Sequence, residues 1–177
     1  MFRTAIYLAW AAFWIYWMVA AANSKHGSSS GGRRVRGLAA IGVMVMARFV
    51  RIGSLAVHDP AMRVIGVMLF VSGLALAVWA RLNLGRNWGM PMTLKDEPEL
   101  VTSGPYRSIR HPIYTGILLA TLGTAVAVNL DWFLLLMLLC AYFVHSAVIE
   151  ERLMTSQFPS VYPAYRDRTK MLVPFVL

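Results

Sequence analysis

Between residues 103 and 116 the chain gathers two arginines, Arg107 and Arg110, one histidine, His111, and two tyrosines, Tyr106 and Tyr114. Arginine and histidine beside a helix start can hold an anion, because the first backbone N–H groups there lack helical partners. Pro112 marks such a start, since its missing N–H costs nothing in a first turn. Gly104-Pro105, just upstream, is a turn signal. Further on, Glu150-Glu151 supplies negative charge, and Phe158, Tyr162 and Tyr165 follow at helical spacing. Adjacent carboxylates on a helix point about 100° apart, so only one of the pair need face a ligand. The tyrosines offer stacking faces and hydroxyls to a ring or a cation. Read without its surroundings, the 103–116 stretch also fits a basic loop that anchors a membrane span. The lone Cys140 lies in an apolar run, so it reads as a small buried hydrophobe, with no disulfide framework or cysteine metal site available. His58 and Asp59 lack a third ligand, and no metal is expected.

These groups must be positioned by a membrane-like chain. Apolar residues make up 58 % of the 177 residues and charged ones 14 %, and the apolar residues fall in long runs. Five runs are expected to span: Ala5–Ala22, Leu38 to about Val57, Val64–Ala80, Ile113–Val128 and Trp132–Ile149. The first begins like a signal peptide, but its length and its tryptophans favour a retained span. The second carries Arg48 and Arg51, charges that a bilayer tolerates only when paired, snorkelled or turned inward. In the third, Gly66 and Gly73 permit close helix approach. Only Asn129, Leu130 and Asp131 separate the last two runs, which forces a helical hairpin. Residues 82–109 read as a long loop or small hairpin over one membrane face. The expectation is one all-α domain over 1–177, with three spans in 1–80 and a motif-bearing half in 81–177.

The net charge of +9 does not indicate nucleic acid, because the basic residues cluster between apolar runs rather than along one soluble face. The positive-inside rule accounts for them and places the N-terminus outside and the C-terminus in the cytoplasm. It also puts every motif-bearing segment on the cytoplasmic side.

Gly104-Pro105-Tyr106 followed by Arg110-His111-Pro112-x-Tyr114-x-Gly116 resembles the signature of the isoprenylcysteine carboxyl methyltransferase family, within a wider phospholipid methyltransferase group. Leu84 to Trp88, Glu99 to Gly104, and Glu150-Glu151-x-Leu153 with Phe158, Tyr162 and Tyr165 resemble the bacterial members. The likeness runs from about Ala80 to the C-terminus. It implies an inner-membrane enzyme that uses S-adenosylmethionine, with a cytoplasmic cofactor pocket and an amphiphilic or lipid-like acceptor from the bilayer, a carboxylate among the candidates. The resemblance implies that Arg110, His111, Pro112, Tyr114, Glu150 and Glu151 belong to the cofactor pocket, and Tyr106, Tyr162 and Tyr165 join the cofactor-binding candidates for their rings and hydroxyls. Arg110, on the acceptor side, and Glu151 are the catalytic candidates. The chain departs from the family pattern at Phe158-Pro159, where a glycine is usual. It departs again at His145-Ser146, where relatives often carry a basic residue suited to a carboxylate acceptor. The alternatives are an NADPH-dependent membrane reductase of the sterol-reductase branch and a small non-enzymatic transport or channel protein.

Overall fold

The computed structural model describes residues 2–22, 55–87 and 99–173 of the chain. Among them every regular element longer than four residues is an α-helix: α1, Phe2–Ala22; α2, Pro60–Leu84; α3, Pro112–Ala127; α4, Trp132–Gln157; and α5, Tyr162–Arg168. Two 3-10 turns, Gly85–Asn87 and Gly104–Arg107, complete the set. Extended pairing among the described residues amounts to two isolated bridges, Ala56 with Asn129 and Ile109 with Lys170. Arg48 and Arg51, and most of the second apolar run, lie outside the described residues. The end of that run is not helical: Val57 N donates to Val128 O at 3.1 Å, beside the Ala56–Asn129 bridge.

Helix α2 begins where Asp59 accepts a hydrogen bond from Met62 N at 2.8 Å, with Pro60 in the first turn. It runs past the expected end at Ala80, to Leu84, and stops at Gly85 with φ of +51°. Its partner is α3, and the two meet almost backbone to backbone. A Cβ added to Gly73 would lie 2.4 Å from Ala120 N, and one on Gly123 would lie 2.3 Å from Phe70 N. Gly66 faces Ala127 and Gly116 faces Ala77 in the same way, so the helices run antiparallel along a seam of small residues. Gly66 and Gly73 were legible as contact points. Gly116 and Gly123 repeat the same interval on the other helix.

Helix α1 covers this pair, burying Ile6, Trp10 and Phe13. Trp10 Nε1 donates to Thr124 Oγ1 at 3.0 Å, and its ring meets Phe70 edge-on. Buried Arg81 donates to Ala20 O and to Gly85 O, each at 2.7 Å, so α1 and α2 end at the same level. Leu55 lies at the other end of the bundle, where its carbonyl accepts from Leu130 N. The α3–α4 hairpin forms as its short link demands, but α4 continues eight residues beyond Ile149, to Gln157. Glu150 and Glu151 are therefore interior to a helix, not at its C-terminus. Pro159 lies in the following turn, whereas Pro163 sits in the first turn of α5 and starts that helix.

Two described helices, α2 and α4, are long and apolar enough to cross a membrane, with mean hydropathies of 2.1 and 2.2. Only 22 % and 33 % of their most apolar windows are buried. The outward residues include Val64, Met68 and Val71 on α2 and Leu134, Met137 and Leu138 on α4. Such a face on helices of this length suits hydrocarbon better than water.

Candidate functional site

The end of the hairpin brings Arg110 and His111, just before α3, against Glu150 and Glu151 near the end of α4. Arg110 Nε donates to Glu151 Oε1 at 2.7 Å, and both side chains are more than nine-tenths buried. His111 lies between the two acids, with Nδ1 3.4 Å from Glu150 Oε2 and Nε2 3.5 Å from Glu151 Oε1. The second distance is that of an ion pair, and among the described residues Nε2 has no hydrogen-bond partner. Both glutamates thus face one imidazole, which straddles the 100° between them. Tyr114 donates its hydroxyl to Glu150 Oε1. Its ring is sandwiched, with His111 stacked at 5.4 Å on one contact and Phe143 at 4.4 Å on another. Phe143 was not picked out from the sequence. Its signal is the seven-residue interval to Glu150, which puts both on one face of α4.

The C-terminal segment closes the site from the other side. Ile109 pairs with Lys170; Arg110 N donates to Lys170 O at 2.8 Å and His111 N to Met171 O at 3.1 Å. Thr115 Oγ1 donates to Leu172 O at 2.6 Å. Arg110 NH1 donates to Arg166 O at 3.0 Å and also to Thr169 O. The guanidinium therefore joins three pieces of chain: its own loop, α4 and the tail. Its acidic partner is Glu151 of α4 and not an acid of the tail. Arg166, with a side chain 58 % exposed, adds a looser contact, Nε to Glu151 Oε2 at 3.5 Å. Neither Arg166 nor Thr169 carried a signal in the sequence.

Tyr106, Tyr162 and Tyr165 are all buried. Tyr165 donates its hydroxyl to Tyr106 O at 2.7 Å, and its ring meets Tyr162 edge-on at 5.9 Å. They form one wall linking α5 to the Gly104–Arg107 turn. Gly104 has φ of +57°, and a Cβ there would strike the Asn83 side chain at the end of α2. Glycine is required on both grounds. Phe158 stands apart from this wall as the residue that ends α4. Pro112 begins α3 as expected. Burial pushes the Tyr165 hydroxyl up to about 12, against the opposing pull of Arg110 and Arg168. It raises Tyr106 and Tyr162 too, so these phenols stay protonated. For His111, burial works to lower the pKa, but Glu150 and Glu151 outweigh it and the net shift is upward. Among the described residues no three His, Cys, Asp or Glu side chains are so arranged that they could hold a metal ion.

The family model described as phospholipid methyltransferase matches residues 61–160, more than half of the chain. The chain belongs to that family. Protein-S-isoprenylcysteine O-methyltransferase B of Arabidopsis thaliana is 28 % identical over 115 residues, covering 63 % of this chain and 58 % of its own length. A probable protein-S-isoprenylcysteine O-methyltransferase of Oryza sativa subsp. japonica is 26 % identical over 116 residues, covering 63 % and 61 %. A solved structure of a eukaryotic intramembrane Ras methyltransferase, an isoprenylcysteine carboxyl methyltransferase, superposes with a TM-score of 0.58. At 20 % identity over 84 % of this chain and 54 % of the other, that likeness concerns the fold. The chain spans less than two thirds of the length of each of these relatives. The phospholipid methyltransferase match contains His111, Glu150 and Glu151, and stops before Tyr162, Tyr165 and Thr169.

Proposed function

We propose that the chain is an integral membrane methyltransferase that uses S-adenosylmethionine and acts on an amphiphilic acceptor. The observation that carries this reading is the cluster of two carboxylates against a guanidinium and an imidazole, walled by tyrosines. A ligand with a zwitterionic amino-acid end matches it sign for sign. Glu150 and Glu151 would hold the ammonium, while His111, whose buried Nε2 has no hydrogen-bond partner among the described residues, and the backbone near Pro112 would take the carboxylate or ribose. Tyr106, Tyr114, Tyr162 and Tyr165 would wall the adenosine. The bound cofactor supplies an electrophilic sulfonium methyl. The chain's own work is to align the reactants and exclude water, which needs no nucleophilic side chain. Arg110 is assigned to the acceptor side, or as a bridge to it, because its planar fork grips a carboxylate or phosphate and stays charged near lipid.

The membrane reading takes five spans, N-terminus outside, with the cluster at the cytoplasmic face of a bacterial inner membrane. It draws support from Ala20 and Leu55 lying at opposite ends of the bundle, on either side of residues 23–54.

Calorimetry of the purified chain with S-adenosylhomocysteine and with NADPH tests the function. Binding of the first and silence with the second is expected. The reverse result would make it a reductase, and silence with both would remove it from either enzyme class. Arg110→Lys keeps the charge and loses the fork, so turnover is expected to fall much more than donor affinity. A parallel loss of both would move Arg110 to the donor side.

A further inference from the structure

Against the tyrosine wall, which contributes Tyr165 to it, lies a concavity of about 400 Å³ lined by Thr102, Arg107, Tyr165 and Arg168. Its lining residues bring one aliphatic hydroxyl, one phenol and two guanidinium groups. Thr102 and the two arginines, both exposed, border one space, and none of the four lining residues is an acid. Neither arginine forms a salt bridge among the described residues, whereas Arg110 and Arg166 both engage Glu151. Arg168 lies over the Tyr165 ring at 5.8 Å, which restrains its swing without neutralising it. The Tyr165 hydroxyl is committed to Tyr106 O. What the concavity offers a ligand is therefore two forked cations around an aromatic wall, an arrangement that suits a phosphate group.

The surroundings favour a lipid as the source of that phosphate. Arg107 closes the Gly104–Arg107 turn, and Gly104 is pressed onto Asn83, in the last turn of α2. On that same stretch of α2, Trp79 and Leu82 are exposed. Val161, at the entrance to α5, and Val173, beyond the paired tail, are exposed as well. Exposed Trp, Leu and Val at the level of unpaired arginines mark the boundary between acyl chains and headgroups.

We propose that the Arg107–Arg168 concavity is a binding site for the phosphate of an anionic phospholipid, which holds the α5 wall of the reaction site against the membrane. This rests on the membrane placement proposed above and not on the methyl-transfer reading. The site is additional to the acceptor position assigned to Arg110.

Native mass spectrometry of the full chain, released from nanodiscs containing equal phosphatidylglycerol and phosphatidylcholine, reads the lipid retained. Phosphatidylglycerol is expected to be enriched, and Arg107→Gln or Arg168→Gln each to reduce that enrichment about fivefold. Arg152→Gln removes the same charge next to Glu151 without touching the concavity and is expected to leave the enrichment unchanged. An equal loss with Arg152→Gln would reduce the effect to general attraction and overturn the proposal, as would no enrichment at all. Calorimetry with inorganic phosphate in detergent distinguishes the other source. Binding lost in Arg107→Gln, with no lipid enrichment, would make this a soluble-phosphate site and overturn the lipid assignment. S-adenosylhomocysteine titration of the same variants keeps the outcomes separate: its failure in the wild type counts against the proposed function and leaves the lipid result standing.

Discussion

The two glutamates are adjacent in sequence and unequal in place. Glu151 is 5 % exposed and is bonded to an arginine that is itself buried, whereas the Glu150 side chain is 25 % exposed. Removing one partner of a buried ion pair leaves the other uncompensated, at a cost of about 3–5 kcal/mol. Glu151→Ala is thus expected to lower the melting temperature clearly, and Glu150→Ala to lower it little. Both are expected to weaken S-adenosylhomocysteine binding, roughly ten- to a hundredfold for each lost charge-assisted bond. His111→Ala belongs with them. Unchanged affinity in all three would remove these residues from the site. The imidazole also sets a pH dependence. Its folded pKa is raised above the usual 6.5, so it contributes stability fully below pH 6.5. That contribution is lost as the pH rises from there through the raised value. Melting curves of wild type and His111→Gln should diverge at the acidic end and converge above this window. A gap that widens with rising pH would mean the ring is neutral in the folded protein.

At the scale of elements, the α2–α3 seam and the tail do different work. The seam fixes where α3 starts relative to α2, and hence the height of His111. Gly123→Ala gains up to about 1 kcal/mol of helix propensity. Against this, the added methyl would sit 2.3 Å from the backbone of Phe70, which cannot swing aside. Overpacking of this kind costs about 1–3 kcal/mol, so a net loss of thermal stability is expected. A variant that melts higher than wild type would mean the helices are free to separate. The tail holds the site loop through backbone groups alone, at Lys170, Met171 and Leu172. Deleting residues 170–177 is expected to leave helix content by circular dichroism unchanged and to weaken S-adenosylhomocysteine binding roughly tenfold or more. Full affinity in the truncated chain would reduce the tail to a covering.

For the whole molecule, the reading depends on which end faces which compartment. Ser103 and Ser160 are exposed at the cluster end, and His58 is exposed at the other. In a Cys140→Ser background, single cysteines at 103 and 160 should label from the cytoplasmic side only, and one at 58 from outside only. Labelling of 103 or 160 from outside would invert the topology and place the donor's partners away from the cytosolic donor.

The apolar runs, the three-residue link and the contiguous Arg110-His111-Pro112 were enough to derive a helical bundle, its hairpin and the end at which the charged groups gather, because each depends on neighbours in the chain. Gly104, Pro112 and the seven-residue glycine interval are local in the same sense. Other features depend on how far each helix runs and how it is rotated, and sequence periodicity states neither. The rotation of α4 turned both glutamates toward His111, where one had been expected to suffice. It also put Glu151 opposite Arg110. The partners of that arginine lie 41 and 59 residues away. Thr169, Phe143, Arg107 and Arg168 acquire meaning only once α5 and the tail are folded back, since a side chain's partner across a bundle is fixed by packing and not by spacing.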